Sequence, residues 1–125
     1  MSFETILRSL VDEGKGILGA ALMESDGIPI EQALAEPSDA DDLLGGDLTV
    51  AGAEFGRILS EVAKASDAIG GGGVSEIVIG LARLSLVFAR VEEEVVLVVA
   101  LRPEGNLGQA RYLMRRSLMA IRQEL

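Results

Sequence analysis

The sequence predicts a single α+β domain over residues 1–125, in which a five-stranded, mainly antiparallel sheet carries helices on both faces. Three observations predict this class. The seven apolar residues of Val95–Leu101 are too few to cross a membrane and suit a strand covered on both faces. Three other segments repeat apolar residues at helical spacing. The remaining apolar runs are short and bounded by turn residues, which gives the order α-β-β-α-β-β-β-α.

The first helix is predicted from the apolar residues that recur at helical spacing between Phe3 and Val11. Ser2 is placed to cap its first turn and Gly14 to end it. This is a short helix with one apolar stripe.

A β-hairpin is predicted next. Gly16–Met23 is small and apolar throughout, which favours a strand. Asp26-Gly27 then forms the turn, and Ile28–Leu34 is the return strand. Because Pro29 has no N–H to donate to a neighbour, this second strand is expected at an edge of the sheet.

A long helix, Leu48–Ile69, is predicted after an acidic loop, Ala35–Gly46. Its large apolar residues form one stripe, expected to cover the domain's own sheet: Leu48, Ala51, Phe55, Ile58, Leu59, Val62 and Ile69. Small residues form a second stripe beside it: Gly52, Gly56, Ser60 and Ala63.

The remaining strands and the last helix follow the glycines that end the long helix. Val74–Leu81 and Leu84–Val91 are predicted as the third and fourth strands, with Val95–Leu101 as the fifth. Asn106 is expected to cap the final helix, with Gln109 reaching back to it. The residues of that helix expected to be buried are Leu107, Ala110, Leu113, Met114, Leu118, Ile121 and Leu125.

Composition excludes several classes of protein. The chain is 49% apolar and carries a net charge of −9, which argues against disorder and against nucleic acid or an anionic membrane as partner. It contains no cysteine, so no disulfide framework or thiolate metal site is expected. The N-terminus shows neither a basic region nor an apolar block, and we expect a cytoplasmic protein.

Catalytic chemistry has little support in the residues. The chain has no histidine and no cysteine, which removes the usual proton shuttle and the best nucleophile. Glu92–Glu94 are typical of a solvated turn, and the glycines of Gly70–Gly73 lack the lysine and hydroxyl of a phosphate-binding loop. Asp39, Asp41 and Asp42 lack the ligand spacing of a calcium loop. No catalytic, cofactor-binding or metal-binding residue is predicted.

Charge is unevenly distributed along the chain. Residues 24–47 hold eight acidic residues and no basic one. The last helix holds Arg111, Arg115, Arg116 and Arg122 against a single acidic residue, Glu124. Both segments can be ordinary solvated faces, and a charge-complementary site for a partner is the alternative.

The small stripe of the long helix and the third strand are candidate contacts between two copies of the chain. Two glycines one turn apart, each costing about 1 kcal/mol relative to alanine, indicate a close approach. Either a second helix or a strand of the same chain could supply that approach. The third strand is expected at the sheet edge opposite Pro29, with no proline and one charge to discourage pairing. A twofold dimer would explain both features.

The chain resembles the Roadblock family, the dynein light-chain Roadblock-type domain, and within it the bacterial branch related to the gliding-motility small-GTPase regulator. The segments that carry the resemblance are Gly19–Ile30, Glu54-Phe55 and, most specifically, Pro103–Tyr112. It covers almost the whole chain and implies a Roadblock/longin-like fold.

The resemblance also implies a function without catalysis. Two copies would pair their third strands and pack their second helices side by side, using Gly52, Gly56, Ser60 and Ala63 with Ser75, Ile77 and Ile79. The dimer would bind and regulate a Ras-like small GTPase through Glu54, Arg57, Glu61 and Lys64, with no cofactor and no insertion into a membrane. These four are also ordinary helix-surface residues, and a scaffolding dimer without a GTPase partner is the alternative. A small-molecule sensor or enzyme is a further alternative, for which the sequence offers no polar pocket.

Overall fold

The computed structural model describes residues 2–35 and 48–125, and confirms the predicted architecture. Five strands form one sheet in the order β2-β1-β5-β4-β3, and all neighbours are antiparallel. Most of the predicted acidic loop lies outside the described residues. The strands are β1 (Ile17–Glu24), β2 (Pro29–Leu34), β3 (Glu76–Gly80), β4 (Ser85–Glu92) and β5 (Val95–Leu101), and the helices are α1 (Phe3–Glu13), α2 (Leu48–Ile69) and α3 (Leu107–Glu124).

The sheet divides the apolar core into two layers. Side chains of α1 and α3 pack against one face, and α2 packs against the other. Successive residues of a strand point to opposite faces, so the uninterrupted apolar run of β5 supplies both layers. Leu97 and Val99 join the α1–α3 layer, while Val96 and Val98 join the α2 layer. The central position predicted for this strand is confirmed.

The segment that follows β5 joins the turn before β1 to the turn before α3. The N–H of Arg102 donates to the carbonyl of Gly16 at 2.8 Å. Gly16 has a φ of +81°, and a Cβ there would lie 2.8 Å from the Cα of Gly105. Glycine is therefore needed where the turn before β1 meets the turn before α3.

The cap of α3 is confirmed, but its second half is not formed as predicted. The side chain of Asn106 accepts a hydrogen bond from the N–H of Gln109 at 2.9 Å. The Gln109 side chain turns away and accepts from the N–H of Lys15 at 2.9 Å. The donor, Lys15, lies in the turn between α1 and β1. This bond therefore connects α3 to the turn that precedes β1.

Three smaller predictions are corrected. The hairpin turn has three residues, closed by a bond of 2.8 Å from the Gly27 N–H to the Glu24 carbonyl, because Gly27 takes a φ of +98°. The third strand is shorter at both ends than the predicted Val74–Leu81. Leu107 and Leu125 are exposed, since they stand at the two ends of α3, beyond the area that the sheet covers.

Candidate interaction surfaces

The outer edge of β3 is the first candidate surface. Among the described strands, β3 has one neighbour, β4, with Ile77 opposite Phe88 and Ile79 opposite Leu86. Ile77 and Ile79 point towards the α2 layer and are half-buried. Ser75, the third predicted edge residue, precedes the strand and accepts a backbone bond of 3.0 Å from Arg90. The edge position predicted for this strand is confirmed.

Part of the small stripe of α2 faces the domain's own sheet, where the large stripe alone was expected. Gly52 and Gly56, of the small stripe, are buried against the domain's own chain. A Cβ on Gly52 would lie 2.2 Å from the Met23 Cε, and one on Gly56 would lie 3.5 Å from the Ser25 carbonyl oxygen. The close approach indicated by these glycines is therefore made within the protomer, because a helix without side chains at these points can lie closer to the sheet.

Three of the seven residues of the large stripe are therefore exposed. Leu48, Phe55 and Leu59 pack against the core. Ile58, Val62 and Ile69 keep 47%, 38% and 84% of their surface exposed, and we call them the outer apolar stripe. The expectation that these three cover the sheet was wrong. Large apolar residues grouped in this way on a helix are typical of a contact with another chain.

A groove of about 190 Å³ runs between α2 and the β3–β4 pair, and we call it the α2–β3 groove. The apolar part of its lining includes Leu59, Phe88 and Val96. Five of the seven residues predicted for the dimer contact also line it, namely Gly56, Ser60, Ala63, Ser75 and Ile77. The structure thus brings the helical and strand parts of the predicted contact together along one groove.

The charged residues predicted to bind a partner stand in two exposed pairs along α2. Arg57 lies 3.7 Å from Glu54, and Lys64 lies 3.4 Å from Glu61, each pair one turn apart. Every one of these side chains is at least 72% exposed. Glu54, Arg57 and Glu61 surround a shallow depression with Ile58 of the outer apolar stripe at its side. Such exposed pairs are worth little to stability, so they are free to take other partners.

A second groove, of about 200 Å³, lies on the opposite face of the sheet, between the β3–β4 pair and α3. We call it the arginine groove, because four arginines line it: Arg90, Arg111, Arg115 and Arg122. The one acidic side chain in its lining, Glu76, is bonded by Arg111 and lies 3.6 Å from Arg115. Three of these arginines were predicted to share one helix. No sequence signal indicated Arg90, which lines both this groove and the α2–β3 groove.

Neither a metal site nor a membrane-spanning helix is present within residues 2–35 and 48–125. This part of the chain holds no group of three or more carboxylate, histidine or cysteine side chains that could bind a metal ion. Its buried side-chain nitrogen and oxygen atoms all have hydrogen-bond partners. None of the helices described here is long and apolar enough to cross a membrane. The features that remain are grooves and exposed faces.

The structure is similar to several solved bacterial proteins. MglC from Myxococcus xanthus is 31% identical, with a TM-score of 0.68 and full coverage of both chains. The Roadblock/LC7 domain from Streptomyces avermitilis is 20% identical, with a TM-score of 0.80 over 99% of this chain and 98% of that one. The gliding protein MglB from Thermus thermophilus is 17% identical, with a TM-score of 0.78 over 95% of this chain and 84% of that one.

Sequence comparisons identify the family. A search of the curated proteins gave no match. A family model of the Roadblock/LC7 domain matches residues 4–101. Because that match spans well over half of the sequence, and the fold agrees with it from α1 to β5, the chain belongs to the Roadblock/LC7 family.

Proposed function

We propose that the protein is a homodimer whose two copies join along β3 and α2. The observation that carries this proposal is the α2–β3 groove, where the unpaired edge of β3 lies beside Ser60 and Ala63 of α2. Two copies related by a twofold axis would pair their β3 strands and continue one sheet into the next. Ser75, Ile77 and Ile79 would then lie at the seam.

The residues that α2 can contribute to the contact are those that the protomer leaves exposed. Gly52 is covered by the Met23 side chain of β1, so it acts by setting the height of α2 above the sheet, whereas a Cβ on Gly56 would make only an ordinary contact at 3.5 Å. Ser60 and Ala63 lie further along, at the mouth of the groove. We therefore propose that the partner copy meets α2 through Ser60 and Ala63, and that it also covers the outer apolar stripe, on the other flank of the helix, whose large side chains are exposed.

We further propose that this dimer binds and regulates a Ras-like small GTPase in the cytoplasm, without catalysing a reaction itself. Membership of the Roadblock/LC7 family supports this proposal, as does the likeness to a gliding protein, which also favours a process of cell motility or polarity. The exposed charges of α2 also support it: Glu54, Arg57, Glu61 and Lys64 stand beside the outer apolar stripe. In a dimer, the two α2 helices would bring two such rows of charged side chains near each other.

The mechanism we propose is positional. A surface that contacts the switch loops of a GTPase can shift their equilibrium only by the difference between its affinities for the two nucleotide states. The two salt-bridged pairs of α2 supply both positive and negative side chains for such contacts. A scaffolding dimer would use the same surface for a partner that has no nucleotide states.

The test is a calorimetric titration of the chain with Ras-like GTPases of its source organism, each loaded with GDP or with a non-hydrolysable GTP analogue. We expect binding to one state to be tighter, and the double variant Glu54→Lys with Glu61→Lys to weaken it. The matched control is Glu4→Lys with Asp12→Lys, which makes the same change of charge on α1, across the sheet. Equal affinity for both states would favour the scaffold, and equal affinity of the two double variants would remove α2 as the binding surface.

A further inference from the structure

The arginine groove opens between β4 and α3, on the sheet face that α1 and α3 cover, whereas α2 lies on the other face. Ser75, Glu76 and Arg90 line both this groove and the α2–β3 groove, and the α3 residues line the arginine groove alone.

The groove concentrates positive charge on an acidic protein. Its four arginines meet one carboxylate, Glu76, in a chain whose net charge is −9. Arg111 and Arg115 both engage Glu76, whose side chain is only 20% exposed. A single carboxylate can neutralise one of these two guanidinium groups, so the pair retains a net positive charge.

The other two arginines are not neutralised by carboxylates of the groove. Arg122 donates from Nε to the carbonyl oxygen of Val91 at 2.7 Å, which fixes the side chain but leaves its charge. Arg90 makes no ion pair with any carboxylate in the described part of the chain, but its guanidinium lies towards the α2 side of the sheet, where a Cβ on Gly73 would be 2.7 Å from Nη1. Glu92 and Glu93 line a neighbouring depression on the turn side of Arg90 and Arg122. An anionic ligand is therefore directed into the groove, away from that turn.

The floor of the groove is apolar. Ala89 and Met114 are buried beneath it and Leu118 is half-buried at its side. The outer face of α3 next to the groove exposes Tyr112 and Met119. Arginine, tyrosine and methionine are the residue types enriched where proteins meet, and lysine and aspartate, which are depleted there, are absent from α3.

We propose that the arginine groove binds an acidic segment of a partner protein, in which carboxylates flank an apolar side chain. The carboxylates pair with Arg115 and Arg122 at the rim, and the apolar side chain rests on Met114 and Leu118. Arginine suits this role because its planar guanidinium bonds a carboxylate with two parallel N–H groups. A nucleic acid is disfavoured, because an extended polyanion would meet the negative charge of the rest of the surface.

The probe is a fluorescein-labelled peptide in which two glutamates stand on each side of a leucine, and binding is followed by fluorescence anisotropy. We expect the intact chain to bind it, and added salt to weaken the binding. A peptide with glutamine at the four acidic positions should not bind. Chemical-shift changes in the NMR spectrum of the unmodified chain should map to β4 and α3, a result that needs no variant to fold.

The double variant Arg115→Gln with Arg122→Gln should weaken binding about tenfold, as expected for the loss of two partly exposed ion pairs. The matched control is Arg57→Gln with Lys64→Gln, which removes the same charge from α2 and should leave binding unchanged. No binding to the intact chain, equal binding of the glutamine peptide or equal losses in the two double variants would each overturn the proposal. So would displacement of the peptide by inorganic phosphate at low concentration, because the groove would then be a site for small anions.

Discussion

Replacing Ile58 and Val62 by glutamine tests the proposed dimer at the outer apolar stripe. Burying a whole aliphatic side chain of this size contributes about 1.5–3 kcal/mol. These two side chains keep 47% and 38% of their surface exposed in the protomer, so covering that part contributes about 0.6–1.2 kcal/mol each. A twofold dimer covers each residue twice, which gives about 2.5–5 kcal/mol in total.

The double variant should therefore dissociate about a hundredfold to a few thousandfold more readily, at about 1.4 kcal/mol per factor of ten. Sedimentation equilibrium of both proteins over a wide range of concentration measures this constant. Circular dichroism should show an unchanged fold, because exposed positions contribute little to the protomer.

The control is Met119→Gln on α3, an apolar residue with an even larger exposed fraction, 66%, on the other side of the sheet. It should leave the dissociation constant unchanged. The reasoning is refuted if the unmodified chain sediments as a monomer throughout, or if the double variant dimerises as tightly as its parent.

Three further predictions concern stability. Val98 is fully buried in β5, so Val98→Asp should cost at least about 5 kcal/mol and abolish the cooperative unfolding transition in circular dichroism; a retained transition would show that the site accepts a carboxyl group. Asn106→Ala removes the cap of α3 and should lower the free energy of unfolding in urea by about 1 kcal/mol, whereas no change would mean that the bond to Gln109 contributes nothing. The guanidinium of Arg116, 2.6 Å from Glu13, lowers the pKa of that carboxyl. Its contribution to stability is complete above the pKa of the unfolded chain and is lost as the pH falls through the lower folded value, so Arg116→Gln should flatten the acid limb of melting temperature against pH.

The layout of the sheet follows from short-range signals in the sequence. The valine-rich run of β5 is buried only if other elements cover both faces of the strand, which places β5 at the centre of the sheet. Pro29 cannot lie between two strands, and the caps Ser2 and Asn106 act within their own first turns. Such signals depend on neighbouring residues and not on distant packing.

The orientation of α2 could not be predicted in the same way, because both flanks of the helix are apolar. Phe55 and Leu59 stand on one flank and Ile58 and Val62 on the other, so periodicity alone allows either to face the sheet. The choice is made by Gly52, which lets the Met23 side chain of β1 fill the space between helix and sheet. That fit depends on a residue almost thirty positions away, and no local pattern contains it.

The candidate surfaces were predictable to different extents for the same reason. The β3 edge follows from strand order, and Ser60, Ala63, Ser75 and Ile77 do lie along one groove. The arginine groove needs Glu76 of β3 to meet Arg111 and Arg115 of α3, more than thirty residues later, and only the packed structure shows this.

The unlike edges of the sheet limit how far assembly can proceed. Pro29 begins the β2 edge and offers no N–H to an incoming strand, while the β3 edge carries no proline. Once two copies have joined through β3, both outer margins of the extended sheet are β2 strands. The missing N–H of Pro29 disfavours the pairing of a third copy at these margins, so the difference between the two edges limits growth into filaments.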